Sequence, residues 1–136
     1  MKNKIRNIII ITTSSIVIGC VMMAIFNPLR KSEEDIKKDV LKQIPIGTNM
    51  DDVINFIETH KKWQWIIESI DMESGYKTTH YGEYDYGYEV EIGFKSIKLH
   101  LGGYRNLFRT DVIAYLGFDL NSNLYDIEIK KYVDSL

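Results

Sequence analysis

A run of oxygen-bearing side chains near the C-terminus has the spacing of the first half of a calcium-binding loop. Asp119, Asn121 and Asn123 alternate as the first ligands of an EF-hand do. The pattern then fails, because Leu124 occupies the position that needs glycine and Lys130 the position of the bidentate glutamate. Asp and Asn are also the residues that a tight turn prefers. We therefore predict a hairpin turn here and no metal site.

The other candidates for chemistry are three histidines and one thiol. His60, His80 and His100 are far apart in the sequence, without the short spacing of a metal-binding motif. Cys20 is the single cysteine and lies in an apolar segment. The chain contains no glycine-rich phosphate loop and no nucleophile elbow around a serine. The sequence therefore predicts no catalytic residue, no cofactor and no metal ligand.

Tyrosines are concentrated in residues 75–90, where they are interspersed with acidic residues and glycines. Tyrosine offers a large amphipathic contact area at a low entropy cost, so an exposed cluster suits a protein or polysaccharide partner. The segment 102–109 adds two aromatic and two cationic side chains. The alternative for both segments is a structural role, with the rings packed along a sheet or hairpin. The residues that we predict to bind a partner are Tyr81, Tyr84, Tyr86, Tyr104 and Arg105.

The charge balance bears on the class of partner. The 136 residues carry 17 Lys and Arg against 19 Asp and Glu, for a net charge of −2 at pH 7. Proteins that bind nucleic acid by neutralising phosphates are usually strongly basic on one face. The composition therefore predicts no nucleic-acid partner, and the length predicts one modest domain.

An uncharged apolar run near the N-terminus indicates the cellular location of the protein. Residues 8–26 contain no charged side chain and follow Lys2, Lys4 and Arg6. As a helix, this run spans roughly 28 Å, close to the ~30 Å hydrocarbon core of a bilayer. Basic residues directly ahead of an apolar run favour an N-terminus inside the cell. We therefore predict a single-pass membrane anchor within residues 1–26 and an extracytoplasmic, periplasmic-type location for the rest of the chain.

The alternative to a retained span is a lipid anchor. The segment 17–20, Val-Ile-Gly-Cys, resembles the lipobox of bacterial lipoproteins, which implies acylation of Cys20 and removal of residues 1–19. The residues after Cys20 stay apolar, where a lipoprotein sequence turns polar, and this favours the uncleaved span. In both cases we expect the protein at a bacterial cell membrane.

The elements that must position the tyrosines follow a short linker, residues 27–32. Ser32 and the acid three residues later form a capping box that predicts a helix over residues 33–43. The segment Thr48–Asp51 forms a second capping box, and it predicts another helix that ends near Lys61 and Lys62. Both helices carry apolar residues at helical spacing, so each has a face to bury.

From residue 63 onward apolar and polar side chains alternate, which predicts strands. The apolar parity changes between Phe94 and Ile97, so we expect a tight turn or a bulge at Lys95–Ser96. In the last strand we expect Tyr125 on the apolar face. The prediction is an α+β domain, residues 33–136, with two helices packed on one face of a three- or four-stranded antiparallel sheet. The predicted strands are 65–70, 88–101 with its irregularity, 111–118 and 124–133.

The start of the second helix, together with the anchor and the final strand pair, resembles the SmpA/BamE-like small lipoproteins of bacterial envelopes. In that family a glycine, a hydroxyl residue and an acid followed by valine recur at this helix, and the matching residues here are Gly47, Thr48, Asp52 and Val53. The resemblance implies a non-enzymatic domain that binds other envelope proteins. The longer apolar run and the tyrosine-rich segment of this chain depart from the family pattern.

These features together predict a membrane-anchored envelope protein whose small, non-catalytic domain binds a protein partner through a sheet edge or the tyrosine-rich segment. Two alternatives stay open at this point. One is a small envelope enzyme, such as a hydrolase, whose site has no recognisable motif. The other is an immunity or inhibitor protein that guards the membrane.

Overall fold

The computed structural model describes residues 27–60, 65–81 and 87–134. The predicted anchor, residues 1–26 with Cys20, lies outside the described residues. Within the part of the chain that is described, no helix combines the length and the apolar character needed to cross a bilayer.

Two α-helices, one 3₁₀ turn and six strands make up the described residues. The 3₁₀ turn is Pro28–Arg30, so the segment predicted as a linker contains ordered structure. The helices are α1 (Glu33–Gln43) and α2 (Met50–Thr59). The strands are β1 (Ile66–Asp71), β2 (Tyr76–Tyr81), β3 (Gly87–Ile92), β4 (Lys95–Arg105), β5 (Arg109–Phe118) and β6 (Leu124–Val133).

Helix α1 has the bounds predicted from its caps. The Ser32 hydroxyl accepts a hydrogen bond from the Asp35 amide at 3.1 Å, and three acids occupy the first turn, where the helix dipole favours them. Ile36 and Val40 are buried, so the predicted apolar stripe is the face that packs.

Helix α2 is capped one residue later than predicted. Asn49, and not Thr48, is the N-cap, and its side chain accepts from the Asp51 amide at 3.1 Å. The Thr48 hydroxyl instead donates to the carbonyl of Pro45 at 2.7 Å, across the turn between the helices. The helix ends at Thr59, before the predicted Lys61 and Lys62.

Four strands form one antiparallel sheet in the order β1-β4-β5-β6, and both helices pack with it. The predicted α+β class and the helix-on-sheet arrangement are therefore confirmed for the described domain. The long hairpin of β4 and β5 is the centre of the sheet, and it pairs Lys95 with Phe118 at one end and Arg105 with Arg109 at the other. Side chains of alternate residues then point to opposite faces.

One face of this sheet and the inner faces of both helices form the hydrophobic core. Phe118, Ile127 and Val53 have no exposed surface at all. The other buried members of the core are Ile36, Val40, Ile44, Met50, Ile57, Ile97, Leu99, Leu101, Val112, Ala114, Leu116, Leu124 and Ile129.

Strands β2 and β3 form a separate two-stranded hairpin; no strand was predicted at β2, and β3 was predicted as part of the main sheet, which was wrong. The change of apolar parity lies at Gly93 and Phe94, before the predicted Lys95–Ser96. Gly93 has a φ of +86°, and a Cβ there would stand 2.8 Å from the Phe118 carbonyl oxygen. Glycine is required at this position because only it tolerates both the left-handed conformation and the close approach.

The last hairpin confirms the predicted turn and corrects one residue. The Asp119 carboxylate accepts from the Asn123 amide at 2.8 Å, as in the turns that Asp favours. The register then shifts between Gly117 and Phe118, which leaves Tyr125 as the extra residue of a bulge. Tyr125 is therefore exposed, and its predicted place on the apolar face was wrong.

Candidate functional site

Within the described residues, the second face of the sheet, opposite the helices, is covered at one end only. The β2–β3 hairpin lies over one end of it, where the Tyr76 hydroxyl donates to Asp126 at 3.2 Å and the Thr78 hydroxyl to Glu128 at 2.5 Å. The Tyr76 ring also lies against Gly117, where a Cβ would stand 3.0 Å from Tyr76 Cε1. The hairpin is thus fixed by polar contacts and one aromatic ring.

The uncovered end of this face is the candidate site, and we call it the open half-face. It is a shallow concavity of about 480 Å³. It carries acidic, basic and aromatic side chains within a small area. The lining residues are Glu68, Lys98, His100, Arg109, Asp111, Ile113, Tyr115 and Tyr132.

Strand register explains why residues so distant in sequence meet here. Antiparallel pairing puts Ile113 directly between His100 on β4 and Lys130 on β6. Two residues earlier on β5, Asp111 is paired with Tyr132 on β6. Directly paired side chains lie about 4.5–5.5 Å apart at their Cβ atoms, so each row brings its side chains into contact. Ile113 is buried beneath this polar layer and forms its floor.

Asp111 is the electrostatic centre of the open half-face. Its Oδ1 atom lies 3.3 Å from His100 Nε2, accepts a hydrogen bond from Arg109 Nε at 3.1 Å and lies 3.1 Å from Arg109 Nη2 in an ion pair. Partial desolvation would raise the pKa of Asp111, but the hydrogen bonds from His100 and Arg109 outweigh it, so the pKa is lowered. Gly103 leaves room for this arrangement, because a Cβ there would stand 2.7 Å from Oδ1. Asp111 is therefore an anion held between two basic side chains.

Two further pairs complete the surface. Lys98 and Glu68 form an ion pair at 2.8 Å, and the Tyr115 and Tyr132 hydroxyls are 2.9 Å apart. Burial, with the hydrogen bond to Tyr132, raises the pKa of Tyr115 above its usual value. Tyr115 is therefore a neutral phenol at physiological pH, which suits hydrogen bonding better than nucleophilic attack.

We predict that alkaline pH destabilises the domain through two tyrosines. Burial raises the pKa of Tyr76 as well, followed by the nearby charge of Asp126. The unfolded chain ionises its tyrosines at about pH 10, whereas the folded domain keeps these two neutral. Their contribution is complete below pH 10 and is lost as the pH rises further. The free energy of unfolding should fall above pH 10, and the double variant Tyr76→Phe Tyr115→Phe should lose most of that dependence.

Tyrosinate absorbance, followed together with circular dichroism, tests this expectation. A fraction of the tyrosine absorbance should appear only as the folded signal disappears. If all tyrosines ionise before any loss of structure, the two phenols are not protected by burial.

The tyrosines predicted to bind a partner are only partly described. Tyr84 and Tyr86 lie outside the described residues. Tyr81 ends β2 and pairs with Gly87 of β3, so residues 82–86 connect these strands. The described part of the tyrosine-rich segment therefore belongs to the β2–β3 hairpin.

Tyr104 and Arg105 lie at the other predicted location, the far end of β4. Tyr104 is half-buried, and two cations lie over its ring, with Arg30 Cζ at 5.6 Å and Lys131 Nζ at 5.5 Å from the centroid. Arg105 is exposed, and its carbonyl accepts from Arg30 Nη2 at 3.3 Å. Tyr104 thus braces the domain, while the Arg105 side chain stays accessible.

The sequence prediction missed the open half-face itself. Lys98 and His100 were predicted on the polar side of a strand and Arg109 in the segment 102–109, but no prediction brought these residues together with Asp111. The available signal was the matched parity of Asp111 and Tyr115 with Lys98 and His100 across one hairpin. Using that signal requires the register, which sequence alone does not supply.

A second concavity of the described structure is a mainly apolar groove of about 800 Å³. Leu29, Val40, Trp65 and Leu101 line its walls, and the Lys31–Asp39 ion pair at 2.6 Å lies at its edge. Hydrogen bonds from Lys31 and Lys42 lower the pKa of Asp39 to about 2, so these charges are satisfied by each other. Over residues 27–60, 65–81 and 87–134, no three His, Cys, Asp or Glu side chains form a group that could hold a metal ion.

Comparisons with protein-family models, with curated proteins and with solved structures give no match for this chain.

Proposed function

We propose that this chain is a membrane-anchored protein of a bacterial envelope whose extracytoplasmic α+β domain binds a protein partner through the open half-face. The anchor is a single span within residues 1–26, with acylation at Cys20 as the alternative. The observation that carries the binding proposal is the open half-face, where charges and tyrosines are presented on a rigid sheet.

The composition of the open half-face supports a protein partner. Tyr and Arg are enriched in protein interfaces and supply a large share of binding energy. Tyr132 is 49% exposed, and Ile66, paired with His100 at the sheet edge, is 60% exposed. Apolar area beside paired charges is what a specific, non-obligate interface requires.

The pre-paired charges support recognition more than they support chemistry. Arg109, His100 and Asp111 are already positioned by mutual contacts, so a partner does not have to order them. A complementary surface can then exchange one ion pair for another at a low entropy cost. The tyrosine-rich segment with Tyr81, Tyr84 and Tyr86 is proposed to add contacts from the β2–β3 hairpin.

Site-specific photocrosslinking in living cells tests the partner proposal. A photoreactive amino acid is placed at Tyr132 or Lys98 on the open half-face, and at Glu58 on the exposed surface of α2 as a matched control. We expect the same crosslinked product from both half-face positions and none from Glu58. Changing Arg109 to Glu, or tyrosines 81, 84 and 86 to Ser, should reduce its yield. Equal capture from all positions, or none from any, would contradict the proposal.

A second candidate function is hydrolysis, and the His100–Asp111 pair is the observation that favours it. An imidazole held by a carboxylate is the arrangement of a general base that activates water. A His100→Gln variant of the full chain would then lose activity on ester, peptide or glycoside substrates that the wild type cleaves. If the wild type cleaves none of them above background, the binding proposal is the better one. An immunity or inhibitor protein would use the open half-face as a binding module does, and the identity of the crosslinked partner would distinguish it.

A further inference from the structure

The turn between β4 and β5, residues 106–108, presents apolar side chains to solvent. The Asn106 amide donates to the Phe108 carbonyl at 3.2 Å, which closes a tight turn. Leu107 is 83% exposed and Phe108 is 41% exposed. We call residues 105–109 the hairpin tip. A leucine and a phenylalanine side by side at such a tip are costly in water unless another surface covers them.

Cations surround this tip although the domain as a whole is acidic. Residues 27–136 contain 14 Lys and Arg against 19 Asp and Glu, a net charge of −5. Arg105 and Arg109 nevertheless flank the two apolar residues directly. Arg30 Cζ and Lys131 Nζ also lie 5.6 Å and 5.5 Å from the centroid of the Tyr104 ring. Asp111 pairs with Arg109, and Asp134 also lines this end, so the surplus positive charge beside the apolar residues comes from Arg30, Arg105 and Lys131.

The hairpin tip also lies where the chain leaves the predicted anchor. Arg30 donates to the Arg105 carbonyl, and the Leu29 side chain lies against Gly102. Only four peptide units separate Phe26 from Arg30, which is at most about 14 Å of extended chain. A bilayer that holds residues 8–26 therefore has its surface close to this end of the domain.

We propose that the hairpin tip inserts into the interface of the bilayer that holds the anchor. Leu107 and Phe108 enter the boundary between headgroups and acyl chains, and Arg30 and Arg105 lie at anionic headgroups. This inference rests on the membrane anchor of the proposed function and adds a second contact. Two contacts fix the orientation of the domain, whereas a flexible tether alone does not.

The orientation has a consequence for the open half-face. Strand β5 runs away from the tip for ten residues, roughly 33 Å. Leu120, in the turn after β5, is then far from the bilayer, while Asp111 lies near its surface. The plane of the open half-face is therefore roughly perpendicular to the membrane surface, and the face is accessible to a membrane-bound partner.

The test uses the full chain with native Cys20, reconstituted into vesicles of phosphatidylcholine and phosphatidylglycerol. An environment-sensitive fluorescent amino acid replaces Leu107, or Leu120 as the matched control, which is 69% exposed at the opposite end. We expect lipids with a quencher near the headgroup to quench the probe at 107 strongly and the probe at 120 not at all. Equal quenching at both positions would overturn the inference.

Flotation of the same vesicles separates the two proposals. Protein that floats with the vesicles while the probe at 107 stays in water retains the anchor and refutes the tip contact. Protein that does not float refutes the anchor, and the tip inference falls with it. In floating protein, Arg105→Glu should weaken the tip contact by about fivefold, and vesicles of phosphatidylcholine alone should weaken it as well. Quenching that is unchanged by both would contradict the role of charge.

Discussion

Replacing Phe118 with alanine is expected to cost the folded domain about 3–5 kcal/mol. Phe118 ends β5 with no exposed surface, at the point where the β4–β5 and β5–β6 hairpins and the helices meet in one core. Removing the ring leaves a cavity that a paired central strand cannot collapse to fill. Domains of this size have about 5–15 kcal/mol of total stability, so the variant should unfold at a much lower urea concentration.

Phe94→Ala is the matched control, because it removes the same ring from an adjacent exposed position. Phe94 is 56% exposed, and its amide still donates to the Phe118 carbonyl after the substitution. We expect a change within about 0.5 kcal/mol. Urea denaturation of the full chain in detergent, followed by circular dichroism, measures both. Similar losses in the two variants would mean that the core is not organised around Phe118.

Local sequence signals were sufficient to predict both ends of α1, but they were insufficient to predict the N-cap residue of α2. At α1 a single capping residue, Ser32, precedes a run of acids, so one boundary satisfies every rule. At α2 both Thr48 and Asn49 can cap. The choice is made by tertiary contacts, because Met50 donates its amide to Ser122 and Leu124 donates to Thr48, which ties this turn to the last hairpin.

The separate β2–β3 hairpin shows a second limit of periodicity. Alternation predicts that residues 88–92 form a strand, but it does not say which sheet the strand joins. The answer depends on close packing at glycines distant in the sequence. A Cβ on Gly75 would stand 2.2 Å from the Ile92 carbonyl oxygen, and one on Gly117 would stand 2.8 Å from the same atom. Such contacts become visible only when the chain is folded.

The open half-face could not be predicted from the sequence for the same reason. His100 and Asp111 each have the appearance of a solvated strand residue, and the register of β4 shifts between them, at the irregularity between His100 and Gly102. That shift aligns Gly103 with Asp111 and makes room for its carboxylate. A side-chain cluster that forms beside a bulge has no motif in the sequence.

Placing two aspartates at Ile16 and Val17 is expected to abolish membrane association of the full chain. These residues lie at the centre of the apolar run 8–26, where each acidic side chain costs about 3 kcal/mol to insert. The wild type should stay in the membrane fraction after alkaline carbonate extraction, whereas the double variant should be soluble. Wild-type protein that is soluble without detergent would contradict the proposed anchor.

Cys20→Ser separates the two kinds of anchor and serves as the control for that experiment. Serine is nearly isosteric with cysteine and is tolerated within a span, so an uncleaved helix keeps the variant in the membrane. A lipid anchor predicts instead that the wild type carries a fatty-acid label, and that Cys20→Ser loses this label and retains residues 1–19. The span depends on the whole apolar run and the lipid on a single sulfur atom, so the fatty-acid label, and not the membrane fraction, distinguishes the two anchors. A fatty-acid label that is present on the wild type and absent from Cys20→Ser would support the lipid anchor. An unlabelled wild type in the membrane fraction would support the uncleaved span.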